Sequence, residues 1–379
     1  MRVALVHDYL NQYGGAERTL EHFLDLFPHA DLYTLVSGGE GAHRKFAHRI
    51  TGTSMLNSEL VARWHRPFIP LMPLAAATID LGNRYDLVVS ATAGYAKGVR
   101  HGPRAFHLSY CYTPLRYAWE SDYIPEKLNA RRSVLGMAAS AVVAPAAAYL
   151  RWWDYRAAQR PDVMLAISNF IAGKIKACYG RQASVVYPAI DHRRFFADDP
   201  ATCECRADGR GQRYLAVGRL LHYKRFDLLI DAFAKMPDRK LIIVGDGPEY
   251  ENLRYRAVDF RNISFRHFVS DRALRRLYCG SRALVFPQVE DFGLVAAESL
   301  ACGTPVIALA AGGAAEIVED GITGVHIRAQ SPEAIIAAVN RFESLSFDRA
   351  RISGSTARFS ADRFKREILS HIPPRVLEA

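Results

Sequence analysis

Residues 283–305, ALVFPQVEDFGLVAAESLACGTP, hold the densest set of side chains able to do chemistry in this 379-residue chain. Residues 283–286 are a short apolar run that reads as a buried strand, and residues 294–302 have a helical pattern that stops at Gly303, ahead of Pro305. The loop between them carries Glu290, Asp291, Phe292 and Gly293. Loops at the carboxyl ends of strands are where α/β sheets bind ligands, and the amides of Phe292, Gly293 and Leu294 at a helix start would point toward an anion. Glu290 on the loop and Glu298 on the helix then face different parts of one ligand, phosphate-bearing and rich in hydroxyls. The same residues fit a plainer account, in which Glu290 and Asp291 complement the helix dipole and Glu298 is solvated.

Three more loops repeat the arrangement. Gly218 to Arg225, GRLLHYKR, follows an apolar run, and there Arg219 as a planar fork and Lys224 as a point charge can both reach a diphosphate. Gly245-Asp246-Gly247-Pro248 and Gly312-Gly313 are glycine turns ahead of helical patterns. Basic residues in loops are mostly solvated, so each loop alone is weak; four in order, all after strands, form a strong joint signal. Near the start, the run 3–6 ends at His7-Asp8-Tyr9 and is followed by Gly14-Gly15 and a helical pattern over 16–27. Paired glycines admit a close ligand or make a tight turn equally well.

These loops need sheets to hold them. Strands are predicted at 31–36, 85–90, 105–111, 163–167 and 184–187 after the first, then at 214–217, 241–244, 263–265, 283–286, 306–308 and 325–327. Helices at 226–235, 248–257, 271–279, 294–302 and 332–342 intervene in the second series. Alternation of this kind gives parallel sheets, hence an α/β chain of two doubly wound, Rossmann-like domains. The expected division is 1–190, then 191–358 after a polar, turn-rich linker at 190–210, then an amphipathic C-terminal helix in 359–379 able to pack back on the first domain. Two segments stand apart. Residues 61–77 mix Trp64, Phe68, Ile69 and Leu71 with Arg63, His65 and Arg66, and their prolines break any single helix. Residues 134–150 are uncharged and reach the length of a membrane span, yet they are alanine-rich, contain Pro145 and lie between strands of one sheet. They read as a buried or membrane-surface helix, and the neighbouring basic and aromatic residues suit either an interfacial patch or a solvated face.

Composition sets outer limits. Half the residues are hydrophobic and 23% charged, as in an ordinary globular enzyme, while the net charge of +10 suits nucleic acid, anionic lipid or a phosphorylated substrate. No nucleic-acid motif accompanies that charge, so no nucleic-acid partner is expected. The six cysteines, at 111, 178, 203, 205, 279 and 302, read as reduced thiols, with Cys203-Glu204-Cys205 a surface loop rather than half of a zinc site. Residues 1–8 run directly into a strand and carry no signal-peptide layout, which makes a cytoplasmic protein the expectation.

Four stretches in the second half resemble the retaining glycosyltransferases of family 4, which have the two-domain GT-B fold: GlyArgLeu…LysArg at 218–225, ValGlyAspGlyProGlu at 244–249, GluAspPheGlyLeu…GluSerLeuAlaCysGlyThrProVal at 290–306, and GlyGlyAlaAlaGluIleValGluAspGlyIleThrGly at 312–324. In the first half, ValHisAspTyrLeu…GlyGlyAlaGluArg at 6–18, TyrCysTyrThrProLeuArgTyrAlaTrpGlu at 110–120, AlaIleSerAsnPheIleAla at 166–172 and ValTyrProAlaIleAsp at 186–191 are similar to the bacterial mannosyltransferase-like enzymes of O-antigen and exopolysaccharide synthesis. The resemblance implies two domains facing a cleft. Within it, Arg219 and Lys224 bind the donor diphosphate, Glu298 the ribose hydroxyls and Glu290 the sugar hydroxyls. The amides of Phe292, Gly293 and Leu294 hold the distal phosphate, Gly14 and Gly15 face that phosphate or the acceptor, and Gly245 lies beside the donor. Enzymes of this kind work without a metal, because the cations and the helix dipole stabilise the leaving group. The subgroup commonly has histidine where this chain has Tyr112, so Tyr112 or His7 takes the place near the sugar.

The reading is a retaining, metal-independent hexosyltransferase without a bound cofactor. It moves mannose from GDP-mannose to a lipid-linked saccharide in cell-surface polysaccharide or lipopolysaccharide synthesis, at the anionic inner face of the cell membrane. The rivals are a sugar-nucleotide epimerase on the same architecture, a glycoside hydrolase using Glu290 with a second carboxylate, and a basic binding module without activity.

Overall fold

The computed structural model describes residues 1–38, 42–120, 134–197 and 211–378, with only the backbone course given at 42–43 and 134–144. They fall into two compact units, Met1–Tyr187 with Phe364–Ala379, and Pro188–Arg363. The predicted linker therefore divides: residues 188–197 go with the second unit, while 198–210, with Cys203 and Cys205, lie outside the described residues. The C-terminal helix, Ala361–Ser370, contributes Phe364 to the first unit, where it meets Phe23 and Tyr110 edge to face.

The first unit is built on seven parallel strands: β1 Val3–Leu10, β2 Asp31–Ser37, β3 Ile50–Thr53, β4 Leu87–Thr92, β5 Phe106–Cys111, β6 Val163–Ala166 and β7 Ser184–Val185. Their order is β3-β2-β1-β4-β5-β6-β7. β1 and β4 are almost wholly buried, which is why they read as continuous apolar runs: helices cover both faces of a parallel sheet. The strand order reverses between β1 and β4, so His7, Asp8 and Thr92 end at the switch point where such sheets take ligands. Asp8 serves the chain itself. Its carboxylate accepts the amides of Ala93, Tyr95 and Ala96 at 2.6, 2.9 and 2.6 Å and fixes the loop after β4.

The segment at 59–78 is broken as its prolines require, into Glu59–Arg63, a tight turn Arg66–Leu71 and Met72–Thr78. The stretch 134–150 lies in one long helix, Val134–Ala158, with Pro145 inside it. The helix is joined to the turn Ala96–Gly98 after β4 by a fully buried ion pair, Lys97 with Asp154 at 2.5 Å, and the Asp154 carboxylate also accepts from Trp119 Nε1 and the Tyr179 hydroxyl. No helix among the described residues is long and apolar enough to cross a membrane. Cys111, Cys279 and Cys302 are buried and form no disulfide, and Cys178 is half-buried. Burial pushes the Cys178 thiol up to about 11 and raises Cys302 as well, so neither is poised as a nucleophile.

The second unit has six parallel strands: β8 Arg213–Val217, β9 Lys240–Val244, β10 Ile263–Arg266, β11 Ala283–Phe286, β12 Val306–Leu309 and β13 Gly324–Ile327, ordered β10-β9-β8-β11-β12-β13. Here the order reverses between β8 and β11. Leu229 and Phe233 of helix Phe226–Ala234 and Ile335 and Val339 of helix Pro332–Glu343 close the core over Ile243 and Val285. The loops that carry Arg219, Lys224 and Glu290 thus leave the middle of the sheet side by side.

Candidate functional site

In the second unit the chain places Lys224 with unusual care. His222–Lys224 form a single tight turn, and Arg225, the only non-glycine residue with a left-handed backbone among the described residues (φ 56°), starts the next helix. That conformation disfavours side chains with a Cβ; here the Arg225 guanidinium is held by Asp227 at 3.2 Å. The result is that Lys224 Nζ stands 2.7 Å from Glu290 Oε1 across the ends of β8 and β11, the two side chains 13% and 18% exposed. The contact matches charge without aligning a hydrogen bond, and no donor among the described residues is directed at Glu290 Oε1. Arg219, on the same loop, is exposed.

Glycines bring these loops together. A Cβ on Gly245 (φ 148°) would sit 1.9 Å from the carbonyl oxygen of Gly218, so the turn after β9 can lie against the loop after β8 only as glycine. Gly245, read from sequence as a donor contact, is therefore first a packing residue. Asp246 beside it holds the next loop, accepting from Phe268 N at 2.6 Å and pairing with His267 Nδ1 at 2.5 Å; these bonds keep its carboxyl below the usual range. Gly312 and Gly313 press on the loop after β11 in the same way: Gly313 N donates to Glu290 O at 2.8 Å, and a Cβ on Gly312 would meet that oxygen at 2.5 Å.

Gly293 (φ 105°) opens helix Leu294–Ala301, and Phe292 before it is buried, edge-on to Phe359 at 5.5 Å. Glu298 is 5% exposed and its Oε2 accepts from the Tyr278 hydroxyl at 3.3 Å. The plainer sequence account, with Glu298 solvated, is corrected here: a carboxylate this enclosed needs partners. Lys224, Glu290, Phe292, Gly293, Leu294 and Glu298 are thus gathered on adjoining loops and one helix of the second unit.

In the first unit His7, Gly14, Gly15 and Tyr112 gather around a residue that the sequence reading did not select, Glu17. One carboxylate oxygen of Glu17 accepts from Gly14 N at 2.7 Å, and the other lies 3.4 Å from His7 Nε2. Glu17 and His7 are both buried, and His7 Nδ1 has no hydrogen-bond partner among the described residues. Glu17 makes only half of a capping box at the start of helix Gly15–Leu26, accepting from Gly14 N, because Gly14 has no side chain to return the bond; the sequence therefore carries no full capping signature. The Tyr112 hydroxyl donates to Ala16 O at 3.1 Å, its ring meets His7 edge-on at 6.2 Å, and burial raises its phenol well above the ordinary value. Tyr112 is accordingly a neutral donor and not an acid–base group at neutral pH. No group of His, Cys, Asp and Glu among the described residues is arranged to hold a metal ion.

Two parallel α/β units with the polar loops at both switch points are the architecture of GT-B glycosyltransferases. Solved structures agree on the fold: the chain superposes on Anabaena HepE in complex with UDP and glucose with a TM-score of 0.68, at 18% identity, covering 97% of this chain and 99% of that one. It superposes on a Thermosynechococcus elongatus sucrose-phosphate synthase with a TM-score of 0.69, at 15% identity and 98% of each chain. Within this fold, residues 206–358 match the family described as Glycosyl transferases group 1. Among curated relatives, the chain is 32% identical over 199 residues to the GDP-mannose-dependent alpha-(1-6)-phosphatidylinositol monomannoside mannosyltransferase of Mycolicibacterium smegmatis, covering 47% of this chain and 52% of that protein. It is 37% identical over 134 residues to an uncharacterised glycosyltransferase of Methanocaldococcus jannaschii, covering 34% of each. The chain thus spans between a third and about half of the length of these relatives.

Proposed function

We propose that the chain is a retaining, metal-independent glycosyltransferase that moves mannose from GDP-mannose onto a lipid-linked saccharide at the inner face of the membrane. The observation that carries the reading is the Lys224–Glu290 pair at the β8/β11 switch point, next to the helix start at Gly293. A cation, a carboxylate and a row of helix-start amides are the groups that a sugar diphosphate calls for: ammonium and amides for the phosphates, a carboxylate for sugar hydroxyls. The match of residues 206–358 to group 1 glycosyl transferases supports the transfer chemistry, and the name of the Mycolicibacterium relative supports GDP-mannose and a lipid acceptor.

In the mechanism we infer, the diphosphate displaces Glu290 from Lys224, and Arg219 and Lys224 neutralise the charge that grows on it as the glycosidic C–O bond breaks. Glu290, released, accepts from the sugar hydroxyls, and Glu298 accepts from the ribose. The acceptor hydroxyl attacks on the face that the diphosphate leaves, and a diphosphate oxygen takes its proton, so no protein nucleophile is used. A hydrolase would need two carboxylates across the scissile bond, whereas Glu290 is paired with Lys224 and Glu298 is enclosed with Tyr278. The test is incubation with labelled GDP-mannose and a lipid-linked saccharide, with and without EDTA, reading the product's anomeric configuration by NMR. An α-linked product insensitive to EDTA is expected. Free mannose or an epimerised sugar nucleotide in place of a glycoside would overturn the reading.

A further inference from the structure

We propose that the outer layer made by residues 55–74 and 149–156 of the first unit is a docking surface for an anionic lipid bilayer. This deepens the functional reading, on which it rests only for its purpose: a lipid-linked acceptor must be met at a membrane. The two segments are far apart in sequence yet share one layer. Val61, Ala62, Ile69 and Met72 from the first and Leu150 from the helix Val134–Ala158 are buried in one core cluster with Ala4 and Val6. That is the sheet face opposite Tyr110 and Phe23, since the register sets Tyr110 level with Ala91 and His7 while Val6 points the other way. Both segments also pack on the turn at Ala96–Gly98, where a Cβ on Gly98 would meet the Trp153 ring at 2.5 Å.

With their inner faces buried together, the outer faces present what water disfavours. Trp64 is 61% exposed, Trp152 58%, Leu60 64% and Leu74 53%, and Tyr149 stacks beside Trp152. Scattered apolar side chains on a surface need no explanation, but two tryptophans and several leucines on one layer do. The charges around them are mostly positive, with Glu59 the one exposed acid of the two segments. Arg63, Arg66, Arg151 and Arg156 are exposed, whereas the acids of the two segments are Glu59 and Asp154, and Asp154 is turned inward onto Lys97. Aromatic rings at headgroup depth ringed by guanidinium groups form the complement of a negatively charged bilayer, each cation near the surface strengthening binding about fivefold.

The experiment is cosedimentation of the full chain with vesicles of phosphatidylcholine alone and of equimolar phosphatidylcholine and phosphatidylglycerol, alongside its mass in solution. We expect binding to the mixed vesicles, weakened by salt and slight on phosphatidylcholine. Binding should fall about fivefold for each of Arg63→Gln and Arg66→Gln, and Trp64→Ser with Trp152→Ser should abolish it. Nucleotide-induced thermal stabilisation, read on the same variants, separates this proposal from the donor site: vesicle binding without nucleotide binding would sink the transferase reading and leave the surface standing. Absence of wild-type binding to the mixed vesicles overturns the proposal. So does binding that the tryptophan variant retains, or a wild-type dimer that this variant turns into a monomer without vesicle binding in either.

Discussion

Lys224 and Glu290 pair charge to charge across the ends of β8 and β11 at 2.7 Å, and in the proposed mechanism a phosphate takes Lys224 from Glu290. At this scale, Glu290→Gln is predicted to keep nucleotide binding and lower transfer by about 10²–10³, the loss typical of one oriented polar group at a transition state; steady-state kinetics with GDP-mannose would show whether kcat falls while KM holds. A second residue-scale prediction concerns the first unit. Lys97 and Asp154 are wholly buried, so Lys97→Ala leaves an uncompensated carboxylate and should lower stability by about 3–5 kcal/mol. All four tryptophans, 64, 119, 152 and 153, lie in the first unit, so urea unfolding followed by tryptophan fluorescence reads this loss directly. Replacing both partners, Lys97→Met with Asp154→Leu, should recover most of it. Equal instability of the single and double variants would show that the pair is not what holds helix Val134–Ala158.

At the scale of elements, close glycine approaches set the loops. Gly245→Ala should cost about 2–4 kcal/mol, because the new methyl would lie 1.9 Å from a carbonyl oxygen with φ at 148°. Gly354→Ala, on a helix with nothing within 4 Å, should be neutral or slightly stabilising. Thermal unfolding of the two variants checks the contrast, and equal melting temperatures would contradict it. Most elements were legible in the sequence because strands covered on both faces must be apolar throughout and are separated by amphipathic helices. β3 was not: Ile50-Thr51-Gly52-Thr53 is a short, half-exposed edge strand with no apolar run to mark it. The candidate site was legible where a charge or a glycine stands at a strand end, as at Lys224 and Glu290. It was less so where a residue serves the fold and the site together. Glu17 is hidden in a helix start, Gly245 is demanded by a neighbouring backbone, and the burial of Glu298 depends on Tyr278, twenty residues away in sequence.

At the scale of the molecule, acid should unfold the first unit before chemistry at the second fails. Burial, with His101, Arg160 and Arg181 nearby, pushes the His107 imidazole down to about 3, and it sits neutral between Ser90 Oγ at 2.9 Å and His101 at 3.2 Å. In the unfolded chain it protonates near 6.5, so its contribution is complete above that pH and is lost as pH falls toward 3, about 2 kcal/mol by pH 5. Tryptophan-detected urea midpoints should drop accordingly between neutrality and pH 5, and a flat profile would contradict the neutral, enclosed histidine.

The proposed donor site of the second unit is reached most directly by thermal shift of the full chain with GDP, UDP, ADP and dTDP, with and without EDTA, repeated on Lys224→Ala. Ligand at a hundred times its dissociation constant stabilises the folded state by about 2.7 kcal/mol. The account predicts such a shift with GDP, unchanged by EDTA and absent in Lys224→Ala. If none of the four nucleotides stabilises the wild-type chain, the site at β8 and β11 is not a sugar-nucleotide site.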